Sequence, residues 1–168
     1  MTEQTNLLAW IILLPLIGAA VNGIFGAIPW KKFPRIPGVV SGVLASASVL
    51  GSFVLATKLY LQLTGREGVS AAFEQTVFSW IHVGDFNIPM TFRVDALSGI
   101  LSLVVTGVGF LIHLYSIGYM SHDENPQRYF TYLNMFTASM LILILGASLP
   151  ILFIGWEGVG LCSYLLIG

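Results

Sequence analysis

The chain has 168 residues, of which 56% are hydrophobic and only 9% charged, with seven Lys and Arg against eight Asp and Glu. Soluble domains carry roughly 25% charged residues, so this composition excludes a water-soluble domain and points to an integral membrane protein. A balance near neutrality leaves no basic footprint for nucleic acid, and a lone Cys162 excludes an internal disulfide framework or a multi-cysteine metal site.

Apolar runs set the expected elements in chain order. Residues 7–28 form a first charge-free span, with Pro15 placed to kink it. Its N-terminal flank lacks the basic region of a secretory signal and carries Glu3. Positive charge follows the span instead, in "PWKKFPRIP", which holds Lys31, Lys32 and Arg35. The positive-inside rule puts that loop in the cytoplasm and the N-terminus outside. Residues 38–61 form the second span and 96–120 the third.

Between them, in an outside loop, "TVFSWIHVGDFNIPMTFRV" alternates Phe86, Ile88, Met90, Phe92 and Val94 with polar or small residues. Gly84-Asp85 is a hairpin turn dipeptide, so a short amphipathic β-hairpin is expected near residues 76–94, with Pro89 marking an edge strand. The competing reading is an irregular loop with interfacial aromatics. Asp95, just before "ALSGILSL", fits a helix N-cap.

Residues 129–168 are too long for one crossing, since 40 residues of helix extend roughly 60 Å against a ~30 Å hydrocarbon core. "GASLP" (residues 146–150) supplies the break, because Pro cannot continue a helix and Gly ends one cheaply. The fourth and fifth spans are therefore 129–146 and 149–168. The expected fold is an all-α polytopic membrane protein of about five transmembrane helices with one external hairpin. Residues 1–168 make a single membrane module, 1–128 holding the first three helices and the hairpin, and 129–168 the last two.

Ionisable groups inside spans are the functional candidates, because a lone carboxylate at mid-membrane costs ~3 kcal/mol or more on insertion scales. Glu157 is the foremost, in "LFIGWEGVGLCSYLLIG", about 12 Å along its helix. Gly155, Gly158 and Gly160 around it have no side chains, so helices or water can come close. A carboxyl that takes and releases a proton as a neighbouring charge moves is a transport device; the alternative is a carboxyl locked structurally to another helix. His113 is either a proton relay or an interfacial histidine bonded to a helix-end carbonyl. Asn22 and Asn134 suit interhelical hydrogen bonds, Cys162 suits packing, and Tyr60, Tyr129 and Tyr132 fall where interfacial belts are expected. There is no phosphate loop, no dinucleotide-binding turn and no metal cluster; "GWEGVG" lacks both the Lys and the preceding strand of a phosphate loop.

The stretches "FRVDALSGILSLVVTGVGFLIHLYSIGYM", "RYFTYLNMFTASMLILIL" and "LFIGWEGVGLCSYLLIG" closely resemble subunit L (mitochondrial chain 5) of respiratory complex I, the proton-pumping NADH:quinone oxidoreductase. The resemblance implies an antiporter-like membrane subunit built from two inverted-topology repeats with interrupted helices. It implies that Glu157, in the "GWE" motif, is the proton-handling carboxylate of the fifth helix, partnered in the family by a Lys on a later helix that this chain does not contain. His113 matches a His of the family's "LIHxYS" stretch, as a possible relay.

Family members are several times longer, so the resemblance covers their N-terminal portion. It implies no cofactor in this chain; NADH, FMN, iron-sulfur clusters and quinone belong to partner subunits. Expected partners are the other complex I membrane subunits and the bilayer, with no nucleic acid, in a hetero-oligomer. The expected location is the bacterial inner membrane, multi-pass, rather than the mitochondrial inner membrane. Rival readings are the large subunit of a multisubunit sodium/proton antiporter, a subunit of an energy-converting hydrogenase, and a structural or assembly subunit that does not transport.

Overall fold

The computed structural model describes residues 2–4, 6–24, 37–65, 72–84 and 86–167. In chain order these form β1 (Thr2–Gln4), α1 (Leu7–Asn22), α2 (Gly38–Thr64), β2 (Ala72–Val83), β3 (Phe86–Val94), α3 (Ala96–Tyr119), a single 3₁₀ turn (Met120–His122), α4 (Pro126–Leu145) and α5 (Leu149–Ile167). Helices α2 to α5 are each long and apolar enough to cross a membrane, whereas the described part of α1 is 16 residues. The expected five helices are present. The stretch 25–28 of the first expected span, "PWKKFPRIP" up to Ile36, Arg66, Glu67 and Asp85 lie outside the described residues.

Several boundaries differ from the apolar pattern. Helix α2 runs to Thr64, past Lys58, because a helix leaving the hydrocarbon core continues while its side chains reach polar surroundings. Helix α4 begins at Pro126 rather than 129, since Pro suits the first helical position, where no N–H is required. The chain between α3 and α4 turns tightly, with the Asp123 carboxylate accepting from the Asn125 amide at 2.8 Å.

Helices α1, α2 and α4 pack mutually; α3 lies against α2 and α4, and α5 against α4. The hairpin closes one end of this bundle. Its strands pair antiparallel across a two-residue turn, in which Gly84 takes φ 59°, a left-handed conformation natural to glycine. Strand β2 starts at Ala72, earlier than the alternation suggested, and β1 adds a parallel edge strand that the alternation did not indicate.

Two bulges, at Val77 and Trp80, break the strict alternation of β2. They also rescue the face: Phe73 and Phe78 are five residues apart and would otherwise point opposite ways. The bulge pairs Phe73 with Val94 and Phe78 with Met90, all on one side. The second bulge adjoins Pro89, which has no N–H to give the ladder.

The base of that face is buried. Phe73, Phe92 and Val94 join Leu8, Leu59, Leu145 and Ile151 in one apolar cluster. Polar bonds register the same contact: Gln75 Oε1 accepts from the Ala9 amide at 2.8 Å, satisfying a first-turn donor of α1, and the Thr91 carbonyl accepts from the Ala147 amide at 3.0 Å in the α4–α5 turn. Asp95 caps α3 as expected, in a reciprocal box with Ser98 at 2.9 Å in each direction. The Ser98 amide donating to the Asp95 carboxylate holds it below the ordinary aspartate range.

Inside the bundle, α1 continues unbroken through Pro15. Proline has no N–H, so the Ile11 carbonyl one turn earlier loses its helical donor. Ser52 of α2, fully buried, supplies the replacement, its hydroxyl donating to Ile11 O at 2.7 Å. Ser52→Ala is expected to cost about 0.5–1 kcal/mol in thermal unfolding of the protein in detergent. Pro15→Ala restores the backbone donor, and in that background the Ser52→Ala penalty should vanish. An unchanged penalty in the double-mutant cycle refutes the pairing.

Candidate functional site

Helix α3 is inverted relative to a soluble helix. Its buried stripe is Gly99, Ser102, Thr106, His113 and Ser116, while Leu97, Ile100, Val104, Val108 and Leu111 face outward. The hydroxyls are satisfied within the helix, Ser102 donating to Ser98 O at 2.7 Å and Thr106 to Ser102 O at 2.6 Å. A bundle with polar groups turned in and leucines turned out suits hydrocarbon on its outside.

That stripe presents His113 to α4. The ring is 1% exposed. Its Nδ1 lies 2.8 Å from the Gly109 carbonyl of its own helix, and its Nε2 lies 2.9 Å from Asn134 Oδ1. Ser48 of α2 places its hydroxyl 3.5 Å from the same Asn134 oxygen while donating to Ala45 O at 2.7 Å. On α1, Gly18 faces this point; a Cβ there would overlap Asn134 Nδ2 and the Ser48 hydroxyl. Four helices thus meet at one polar node, about 12 Å along α4 from its start. The expectation of an interfacial histidine on a helix-end carbonyl is corrected: Gly109 lies within α3, and the ring is enclosed. A groove of about 210 Å³ between α3 and α4 reaches the node past Val108, Phe136, Thr137 and Met140.

Nearer the end opposite the hairpin, Asn22 and Ser41, both fully buried, form a second bridge. Ser41 donates to Asn22 Oδ1 at 2.6 Å and Asn22 Nδ2 donates to the Ser41 carbonyl at 3.3 Å. Both asparagines are therefore interhelical bonders, as their residue type suggested. Tyr129 extends the polar path below His113, its hydroxyl 3.1 Å from that of Ser116.

Glu157 lies elsewhere. It occupies the middle of α5, the position counted from the sequence, but its side chain is exposed on the side of α5 turned away from α4, beside exposed Trp156, Gly160 and Leu161. It forms no hydrogen bond or ion pair among the described residues, so nothing described locks it structurally. The glycines around it divide. A Cβ at Gly155 would overlap the Leu143 backbone, and one at Gly158 would come within 2.6 Å of Ser139 Oγ, whereas Gly160 faces open space. Two of the three thus serve the α4–α5 contact, and the third lies on the exposed side with Glu157. Cys162 packs in the α4–α5 seam, buried beside Ser139. Glu157 and His113 are not brought together; α4 stands between them.

Ser48, Ser52 and Gly18 were not singled out by sequence reasoning. For the two serines the signal was the small-residue row Ser41, Ala45, Ser48, Ser52, Ala56 at helical spacing on α2, the mark of a close helix contact in a membrane.

These features define a multi-spanning membrane protein with a polar interior and a carboxyl midway along an apolar helix. Residues 80–130 match the family described as NADH-Ubiquinone oxidoreductase (complex I), chain 5 N-terminus. The chain is 41% identical over 160 residues, 95% of its length, to NADH-quinone oxidoreductase subunit L of Mycobacterium tuberculosis (strain CDC 1551 / Oshkosh), of which it covers 24%. It is 42% identical over 163 residues to subunit L of Escherichia coli (strain K12), covering 97% of this chain and 25% of that one. To NADH-ubiquinone oxidoreductase chain 5 of Hypocrea jecorina it is 38% identical, covering 94% and 21%. The chain thus spans about a quarter of the length of these relatives, and along nearly all of its own length it resembles subunit L and chain 5. The membrane-bound sulfane sulfur reductase, an archaeal respiratory membrane complex, contains a chain of the same fold, with a TM-score of 0.70 at 22% identity, covering 95% of this chain and 22% of that one.

The glycine contacts predict a graded response. Gly155→Val should separate α4 from α5, read as loss of a cysteine crosslink between engineered positions on the two helices. Gly160→Ala should leave that crosslink intact. Equal crosslinking in both variants contradicts the seam.

Proposed function

We propose that this chain forms part of a membrane-arm subunit of a proton-translocating NADH:quinone oxidoreductase, with Glu157 as a proton-handling group and His113 as a relay. The observation that carries the reading is about 40% identity to subunit L along nearly the entire chain. The chain contributes no redox chemistry; electron carriers reside in partner subunits, and quinone reduction drives the proton movement. The assembly is a hetero-oligomer in a bacterial inner membrane.

Glu157 supports the reading through its placement. An ionisable carboxyl at mid-helix persists in a bilayer where it meets a protein partner or a hydrated cavity. The exposed side of α5 offers room for either, because Gly160 adds no side chain beside it. A cation on another helix of the assembled subunit favours the carboxylate when close and releases it to bind a proton when it withdraws. One proton then crosses this position for each cycle of approach and withdrawal.

Substitution of Glu157 in the assembled complex tests the role. Glu157→Gln keeps the volume and the hydrogen-bonding capacity but cannot titrate. Proton pumping, with NADH oxidation coupled to it, should fall at least tenfold with subunit content unchanged. Glu157→Asp should retain part of the activity, since an ion pair weakens with distance without vanishing. Full pumping by an assembled Gln variant removes Glu157 from the mechanism.

The orientation is tested separately. The basic loop places residue 32 in the cytoplasm and the hairpin side outside. A reporter fused after Lys32 should read cytoplasm, and one near Gly68 should read outside. The reverse pattern overturns the topology.

A further inference from the structure

The enclosed pair of His113 and Asn134 raises a proton count that a relay role alone leaves open. Gly109 O lies 2.8 Å from Nδ1 and Asn134 Oδ1 lies 2.9 Å from Nε2. Both oxygens are acceptors. A neutral imidazole carries one N–H, so whichever nitrogen holds it, the other turns a lone pair toward an oxygen. Two arrangements remove the conflict. In one, the ring is doubly protonated and donates to both oxygens. In the other, the Asn134 amide is turned by half a rotation, so that Nδ2 donates to Nε2 and a neutral ring donates from Nδ1 to Gly109 O.

Asn134 is built to permit both. Oxygen and nitrogen of an amide are nearly the same size, and their assignment is settled by hydrogen bonds. Although the residue is fully buried, Nδ2 has no partner among the described residues, and the turned amide gives it one. Gly18 leaves the space beside the amide clear of any Cβ, and the Ser48 hydroxyl stands next to it with a rotatable hydrogen.

Other charges are remote. Among the described residues α1 contains no titratable group. On α2, Lys58 is exposed about 15 Å along the helix from Ser48, and Tyr60 lies further on. On α4, exposed Arg128 and half-buried Tyr129 and Tyr132 lie toward the helix start, and on α3 Tyr115 and Tyr119 face outward. No described carboxylate faces the ring.

We propose that His113 and Asn134 form a one-proton switch, in which the imidazole holds a second proton while the Asn134 carbonyl faces Nε2 and is neutral once the amide has turned. Uptake adds one proton at Nε2, and release returns it; no electron moves. His113 is the proton-binding group and Asn134 the positioning residue. The groove between α3 and α4 is the approach. The switch deepens, and rests on, the proton-translocating role given to His113 above.

Solid-state ¹⁵N NMR of the assembled complex in lipid, with labelled histidine, reads the switch directly; the His113 signals are those lost in His113→Gln. In wild type the ring should pass from doubly protonated to the neutral Nδ1–H form as pH rises. Asn134→Asp should hold it doubly protonated throughout, and Asn134→Leu should hold it neutral throughout. The wild-type titration decides the matter even where a variant fails to assemble: a ring fixed in one protonation state at every pH overturns the proposal, as does a titration in Asn134→Leu identical to wild type. Pumping by His113→Gln and Glu157→Gln separates the two readings. A titrating His113 in a complex whose pumping ignores both substitutions leaves the switch standing and removes the translocating role; a fixed His113 with pumping lost in Glu157→Gln does the reverse.

Discussion

A polar atom in hydrocarbon has no water to turn to, and the interior of this bundle is arranged around that constraint. Each departure from a plain apolar helix is answered by a specific atom nearby. Pro15 removes a donor from α1 and Ser52 supplies another. Asn22 is met by both the hydroxyl and the carbonyl of Ser41. The hydroxyls of α3 return to carbonyls one turn back. Asn134 is the instructive exception: among the described residues its amide nitrogen and the Ser148 hydroxyl in the α4–α5 turn are buried without a partner, and of the two only Asn134 stands beside an ionisable ring. A single unsatisfied donor beside a group able to gain or lose a proton is where the interior has a choice of states.

The hairpin settles the positions of the helix ends that the node relies on. Its buried base touches α1, and the backbone of Thr91 reaches the α4–α5 turn. Helices that slide along one another in a bilayer lose little apolar contact, since lipid and side chain are similar solvents. Directional bonds at one end remove that freedom. The two bulges in β2 keep Phe78 on the same side of the sheet as the buried Phe73 despite their odd spacing, although Phe78 itself stays about half exposed.

The helices were legible because their lengths are dictated by bilayer thickness and the break between the last two by Gly146 and Pro150, whereas the start of α4 at Pro126 was not read. The Asp95 cap and the Gly84 turn were legible because each is a local device, complete within four residues. Beyond that range the pattern failed. The bulges could not be read, since Val77 and Trp80 fit a strand whether bulged or not. The fourfold meeting of Gly18, Ser48, His113 and Asn134 joins residues up to 116 apart, and only the asparagine and histidine had a chemical reason to be noticed. Glu157 was placed correctly along its helix by counting, but the face it occupies follows from which glycines pack on α4. Gly155, Gly158 and Gly160 are identical in the sequence; their neighbours Leu143 and Ser139 decide their roles.

Helix α4 ties the two candidate groups together mechanically. Asn134 points from it toward α3 and α2, while Ser139 and Leu143 form its contact with α5. Nine residues separate Asn134 from Leu143, which at 100° per residue places them on opposite faces. The contact at Leu143 is backbone against a bare glycine, with no flexible side chain to absorb a shift. The contact at Asn134 is a pair of hydrogen bonds whose lengths tolerate only tenths of an ångström. The close seam at Gly155 and Leu143 holds α5, which carries Glu157, directly against the helix that carries Asn134. The two ionisable groups, apart in space, share one rigid element between them.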